Sequence, residues 1–321
     1  MADVGEDRLE LRDGAVSVTL LRRGAITQDW RVPLGGERVP VILGYADPEA
    51  YRADRWFTGA IVGRVANRIG GARFDSGAGS VLLDANDGPH HLHGGRGGLW
   101  AVDWQMERLD ARAVRLAHVS SPGTMGYPGE VRFEVTVRLE GFALSWDMRA
   151  EADRETPVSL AQHNYYALDI GGIGGQRLRI AADRALERDA AGIMTGALHA
   201  VGGGPLDFRA GRTLPPDGGR VDDFLVFEAG RDPALPVVEL TARNGLRLRM
   251  WSDQPGAQVY AGHGMQPTPG GDPRRPLGPS AGLCLEPSGY PNAVNRPAFP
   301  DVSCGPGRPY RQRLTVEIAP F

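Results

Sequence analysis

Hydrophobic and polar residues alternate most regularly in the middle of the chain. Val131, Phe133, Val135, Val137 and Leu139 interleave with Arg132, Glu134, Thr136 and Arg138. After Glu140–Gly141 the alternation resumes as Phe142, Leu144, Trp146 and Met148 against Ser145, Asp147 and Arg149. A period of two on both sides of a Gly-containing turn predicts an antiparallel hairpin with one face buried. Shorter alternating pieces recur at Leu178/Ile180, Val238/Leu240, Leu246/Leu248/Met250 and Leu314/Val316/Ile318. Loops rich in Gly, Pro and Asp separate them, notably 202–205, 215–219 and 264–279. Only Pro48–Arg55 reads as helical. Many short strands between Gly/Pro turns predict an all-β protein, a large antiparallel sandwich or barrel. No repeat or linker is evident. The 264–279 stretch has strands on both sides and reads as a long loop, so residues 1–321 are expected to form a single domain.

Composition agrees and removes several function classes. The chain has 45 Gly and 25 Pro, which disfavours long helices. Its net charge of −3 gives no electrostatic case for nucleic acid or a membrane surface as partner. It contains no lysine, so Schiff-base chemistry and a phosphate-loop lysine are excluded. Cys284 and Cys304 are too few for a disulfide framework, and reduced thiols are expected. Met1–Leu11 is acidic without an apolar stretch, and no apolar run is long enough to span a bilayer. A cytoplasmic protein is the expectation.

Five segments carry candidate chemistry. In Gly282–Leu283–Cys284–Leu285–Glu286–Pro287 a lone carboxylate follows an apolar run. Apolar surroundings raise a carboxyl pKa and make it a usable base near neutrality. In Gly63–Gly71, Asn67 and Arg68 offer donors suited to sugar hydroxyls, or simply mark a strand end and a turn. The loop Asn86–Gly95 holds His90, His91 and His93, three of the seven histidines. Two His in this spacing can ligate a metal, but no Glu follows before Glu107. The other reading is a polar loop with solvent-facing histidines. His163 lies among Asn164, Tyr165 and Tyr166, which can fix its tautomer; it could equally be a neutral core histidine. Asp222–Asp223 could bind sugar hydroxyls, bind calcium, for which the neighbourhood offers few oxygen ligands in register, or form an ordinary acidic turn.

The order of these segments resembles the aldose 1-epimerase (galactose mutarotase) family from about Gly59 to the C-terminus. Gly126–Tyr127–Pro128–Gly129, Pro205–Arg209, Gln258–Gly262 and Tyr290–Pro300 add to the resemblance. It implies a β-supersandwich with a sugar cleft, and interconversion of the α and β anomers of a free aldose. Glu286 matches the family's general base and His163 its general acid. His93 matches the second active-site histidine, and Asn67, Arg68, Asp222 and Gln258 match residues that bind sugar oxygens. Asp223 adjoins Asp222 closely enough to take its place. The implied partner is a monosaccharide, with no metal, no cofactor, and a monomer or homodimer. Three departures flank the site: Pro287–Ser288 for Thr-Gln, Pro291–Asn292 for Pro-Asp, and an acid-free Ser121–Met125. They leave glucose, galactose, arabinose, xylose and fucose all open.

Alternatives of other kinds are a hexose-phosphate mutarotase, a non-catalytic sugar-binding protein on the same fold, and a metal-dependent cupin-like enzyme. A phosphate would call for an Arg cluster, with Arg64, Arg96 and Arg296 as candidates.

Overall fold

The computed structural model describes residues 7–77 and 79–321. Three antiparallel sheets dominate. Residues Arg8–Pro40 form a four-stranded meander. A nine-stranded sheet is centred on the expected hairpin, Val131–Glu140 with Ala143–Ala152, whose register closes around Gly141–Phe142. Tyr310–Pro320 pairs with the hairpin's second strand and then with Leu246–Ser252, so the chain's last strand sits mid-sheet. The third sheet has six strands in the order Tyr165–Tyr166, Leu283–Ser288, Gly256–Tyr260, Asp222–Phe227, Ala182–Arg188 and Met194–Ala200.

Alternation explains how the sheets meet. Val131, Phe133, Val135, Val137 and Leu139 are buried while Arg132 and Glu140 are exposed. Their cross-strand partners Trp146 and Met148 are buried beside them, and Trp146 meets Trp30 of the meander edge to face. One apolar cluster joins all three sheets, from Leu9 and Trp30 through Val135 and Ile318 to Leu225, Val259 and Leu285. The expected helix shrinks to one 3₁₀ segment, Pro48–Arg52, capped by Asp47. Glu49 and Arg52 suit a helix start and end, but a following Asp54 turns the chain by accepting from the amides of Trp56 and Thr58. The 264–279 stretch is a long loop, tied down by bridges such as Thr268 with Leu277. Cys284 and Cys304 are both buried and unbridged. Among the described residues no helix is long and apolar enough to cross a membrane.

Candidate active site

The six-stranded sheet builds the floor of the site through the same period of two. In Leu283–Ser288, Leu283 and Leu285 enter the core cluster, which turns Cys284 and Glu286 to the opposite face. In Gly256–Tyr260, Ala257 and Val259 face the core, so Gln258 and Tyr260 join Glu286. Cross-strand register sets Gln258 beside Glu286 and Asp222 beside Tyr260. These side chains line a cavity of about 240 Å³. Of the two adjacent acids, Asp222 lines it, whereas Asp223 turns toward Arg188.

Two further segments close the cavity. Asn67 adopts a left-handed conformation, which Asn tolerates. Its amide oxygen accepts from the Arg68 N–H at 2.7 Å and its amide nitrogen donates to Gln258 at 3.0 Å. Gln258 in turn donates to Asp222 at 2.8 Å, so one chain of hydrogen bonds orients three polar groups. His93 is fixed to the same segment from both sides. Its backbone N–H donates to the Asn67 carbonyl, and the Asn67 N–H donates to its Nδ1 at 3.1 Å. Gly94, with φ +88°, follows because a Cβ there would lie 1.7 Å from the Gly63 carbonyl oxygen.

His163 comes from the loop between Ala161–Gln162 and Tyr165–Tyr166. Its backbone is held by Ala60 and Gly59, which carry the Asp54–Ala60 loop over the site. Its Nε2 lies 3.6 Å from Glu286 Oε1, and its Nδ1 faces Cys284 Sγ at 3.6 Å. His93, His163 and Glu286 are all buried, with one ligand atom of each within 4.8 Å of the others. Burial, with the Asp222 charge behind it, pushes Glu286 up to about 8. Burial pulls His163 down to about 4, its own backbone carbonyl opposing. His93 is held well below the usual histidine range by burial, with His163 and Arg68 adding to it.

Three such groups resemble a two-histidine, one-carboxylate metal site. The hydrogen bonding argues otherwise. With Nδ1 of His93 occupied as an acceptor, the neutral ring carries its proton on Nε2 and has no lone pair there for a metal.

The loop histidines divide three ways, and only one fits the solvent-facing reading. His93 lines the cavity; His91 is buried, bridging the Asp84 carbonyl and the Tyr127 hydroxyl at 2.7 and 2.8 Å. His90 sits at the surface, accepting from Gly71. The three arginines considered for phosphate are not gathered at the cavity. Arg64 is buried and donates to the carbonyls of Ser120, Ser121, Pro128 and Gly129. Arg96 pairs with Asp84, and Arg296 donates to the Met194 and Asn295 carbonyls. Arg68 does line the cavity, with its Nε on Asp87 at 2.7 Å.

Neither Pro287, Ser288 nor Asn292 lines the cavity. Asn292 is a buried bracket, accepting from Gly70 and donating to Met194. Sequence reasoning gave no role at the site to Arg55, Trp56, Phe57, Tyr260 and His263, which line the cavity together with Leu92 and Tyr165. Phe57 packs at a tilt against His93, its ring centroid 4.6 Å away.

Known proteins resemble this chain in sequence and in fold. A family model described as aldose 1-epimerase matches residues 7–317. The chain belongs to the aldose 1-epimerase family. It is 33% identical to the galactose mutarotase of Mus musculus over 95% of this chain and 91% of that one. It is 32% identical to the aldose 1-epimerase of Escherichia coli K12 over 94% and 92%. The fold matches the GalM/aldose epimerase homologue of C. elegans, with a TM-score of 0.91, 26% identity and 98% of each chain covered. Family membership makes this chain an isomerase, and the fold observed is all-β, as alternation predicts, and of the sandwich type that the resemblance implies.

Proposed function

We propose that the protein interconverts the α and β anomers of a free aldose, with Glu286 as general base and His163 as general acid. The observation that carries this reading is the 3.6 Å approach of His163 Nε2 to Glu286 Oε1 on the floor of a polar cavity. A hemiacetal carbon bears both O1 and the ring oxygen, so its acid and base must stand close together.

Glu286 takes the proton from the O1 hydroxyl while His163 delivers one to the ring oxygen. The C1–ring oxygen bond breaks as the C1–O1 double bond forms, giving the open aldehyde. Rotation about C1–C2 turns the other face of the carbonyl to the ring hydroxyl. Closure returns one proton to His163 and one from Glu286 to O1. Each well-placed acid or base contributes about 10²–10⁴-fold. His93 donates from Nε2 toward the ring oxygen, while Asn67, Arg68, Asp222 and Gln258 hold the remaining oxygens.

A sugar phosphate is the weaker reading, because Arg64, Arg96 and Arg296 are committed to other partners. The unbridged thiols fit the cytoplasm as location. One cluster drawing on residues from Leu9 to Ile318 supports a single folding unit, expected to melt in one calorimetric transition. The test of function is polarimetry on freshly dissolved α-D-glucose and α-D-galactose with EDTA present, then on pentoses, deoxy sugars and glucose 6-phosphate. Faster approach to anomeric equilibrium with a free sugar is expected. Acceleration of glucose 6-phosphate alone would favour the phosphate reading, and no acceleration with any sugar would favour a binding protein.

A further inference from the structure

The two cavity histidines are nearly equally buried, with ring centroids 5.2 Å apart. They differ in what meets the nitrogen that faces away from the cavity. Nδ1 of His93 meets a backbone N–H, a donor that cannot reverse. A proton placed on that Nδ1 would face another proton, so His93 is confined to its neutral form. Nδ1 of His163 meets the thiol of Cys284. A thiol is a weak donor and a weak acceptor. It can donate to Nδ1 of a neutral ring and accept from Nδ1–H of a protonated one.

We propose that Cys284 is a positioning residue for His163: its thiol holds the neutral ring in the Nε2–H tautomer, aimed at the reacting oxygens, and still permits the cation. This deepens, and rests on, the reading of His163 as general acid. A carbonyl in the thiol's place would fix the opposite tautomer, with the proton on Nδ1 and none facing Glu286. A rigid donor would reproduce His93 and bar the acid role. The thiol allows the proton cycle that anomer exchange requires. Cys284 is itself held by sheet register, opposite Tyr165 on one side and Tyr260 on the other, and is fully buried. Its alternation with Leu283 and Leu285 makes the contact a consequence of the strand that carries Glu286 two residues on.

The ring has a second partner in the histidine's own backbone carbonyl. Nitrogen-15 NMR of the imidazole rings therefore decides the matter independently of activity. In the wild type near neutral pH, the His163 signals are expected to show a protonated Nε2 and an unprotonated Nδ1. Cys284→Ala is expected to populate the Nδ1–H tautomer and to lower kcat about fivefold with KM little changed, the scale of one lost uncharged hydrogen bond. Cys284→Ser, which keeps a donor at the position, is expected to fall between the two in both readouts. An Nδ1–H tautomer in the wild type overturns the proposal, as does a Cys284→Ala variant with wild-type tautomer and kcat. If no variant or wild type speeds mutarotation, the functional reading fails, and the ring spectra still report whether the thiol sets the tautomer.

Discussion

The strands Val131–Glu140 and Leu283–Ser288 share a period of two but use their second faces differently. In the first, alternate residues enter the core and the Arg, Glu and Thr between them meet solvent or a half-buried surface. In the second, all six residues are buried, and Arg55, Trp56, Phe57, Leu92 and His93 wall the cavity on the face opposite the core. The carboxylates of the first strand keep their contact with water, whereas Glu286 must ionise without it, which raises its pKa to about 8. One sheet therefore supplies stability, and the other gives some up to hold a reactive group.

The largest expected effect breaks the second half of that contrast. Glu286→Gln keeps shape and removes the base, and kcat should fall about 10⁴-fold, the upper range for one acid–base group. The same change should remove a pH penalty. Unfolded, the Glu and His begin from 4.5 and 6.5; folded, they stand at about 8 and about 4. Between 6.5 and about 8 the folded pair keeps one proton that the unfolded chain has released, so wild-type stability falls as pH rises across that window. Denaturant titrations at two pH values should show that slope in the wild type and a flat line in Glu286→Gln. Near wild-type turnover in the variant would remove Glu286 from the mechanism.

Trp146→Ala probes the other sheet. The ring is fully buried against Trp30, and its loss should cost about 3–5 kcal/mol. Below its lowered Tm the variant should keep the wild-type kcat. A drop in kcat at a temperature where the variant is fully folded would show that the two sheets are not separable.

The contrast also explains what the sequence disclosed. The hairpin was legible because solvent on one face forces polar residues into every second position. Glu286 was legible for the opposite reason, as a single charge in an apolar run. The neighbouring decisions were not. His91 and His93 are two residues apart, and left-handed conformations at His93 and Gly94 decide which ring enters the cavity. Arg64 and Arg68 occupy the same short segment, yet one is consumed by carbonyls far away in sequence and the other lines the site. Arg55, Trp56 and Phe57 reach the cavity through hydrogen bonds between Gly59–Ala60 and His163, contacts about a hundred residues apart that leave no local pattern.

The roles of the two histidines can be separated by pH. Across about 4 to about 8 the His163–Glu286 pair holds one proton. The working state, protonated His163 with ionised Glu286, has that same proton count. Wild-type kcat/KM should therefore be flat across that range and fall above about 8, where the proton is lost. His163→Asn should cost about 10²-fold and invert the alkaline limb, since a lone Glu286 becomes a base only as it ionises. His93→Asn should cost a comparable factor and keep the wild-type shape. Two variants with the same profile would collapse the distinction between them.

The smallest effect belongs to the solvent face of the nine-stranded sheet. Asp147 accepts from Arg149 at 2.8 Å and lies 3.5 Å from Arg313. The Arg149 hydrogen bond is the main cause that lowers its pKa, against some burial. A carboxyl lowered in the folded state stabilises above its unfolded pKa, and that contribution fades as pH falls through the folded value. Exposed pairs of this kind are worth about 0.2–1 kcal/mol and weaken with salt. Asp147→Asn should therefore lose less than about 1 kcal/mol at pH 7, less still in high salt, and nothing in kcat. Urea titrations at low and high ionic strength check this. A loss above about 2 kcal/mol, well beyond such pairs, would mean that the wet face carries stability as the core does. The difference between the two strands would then lie in chemistry alone.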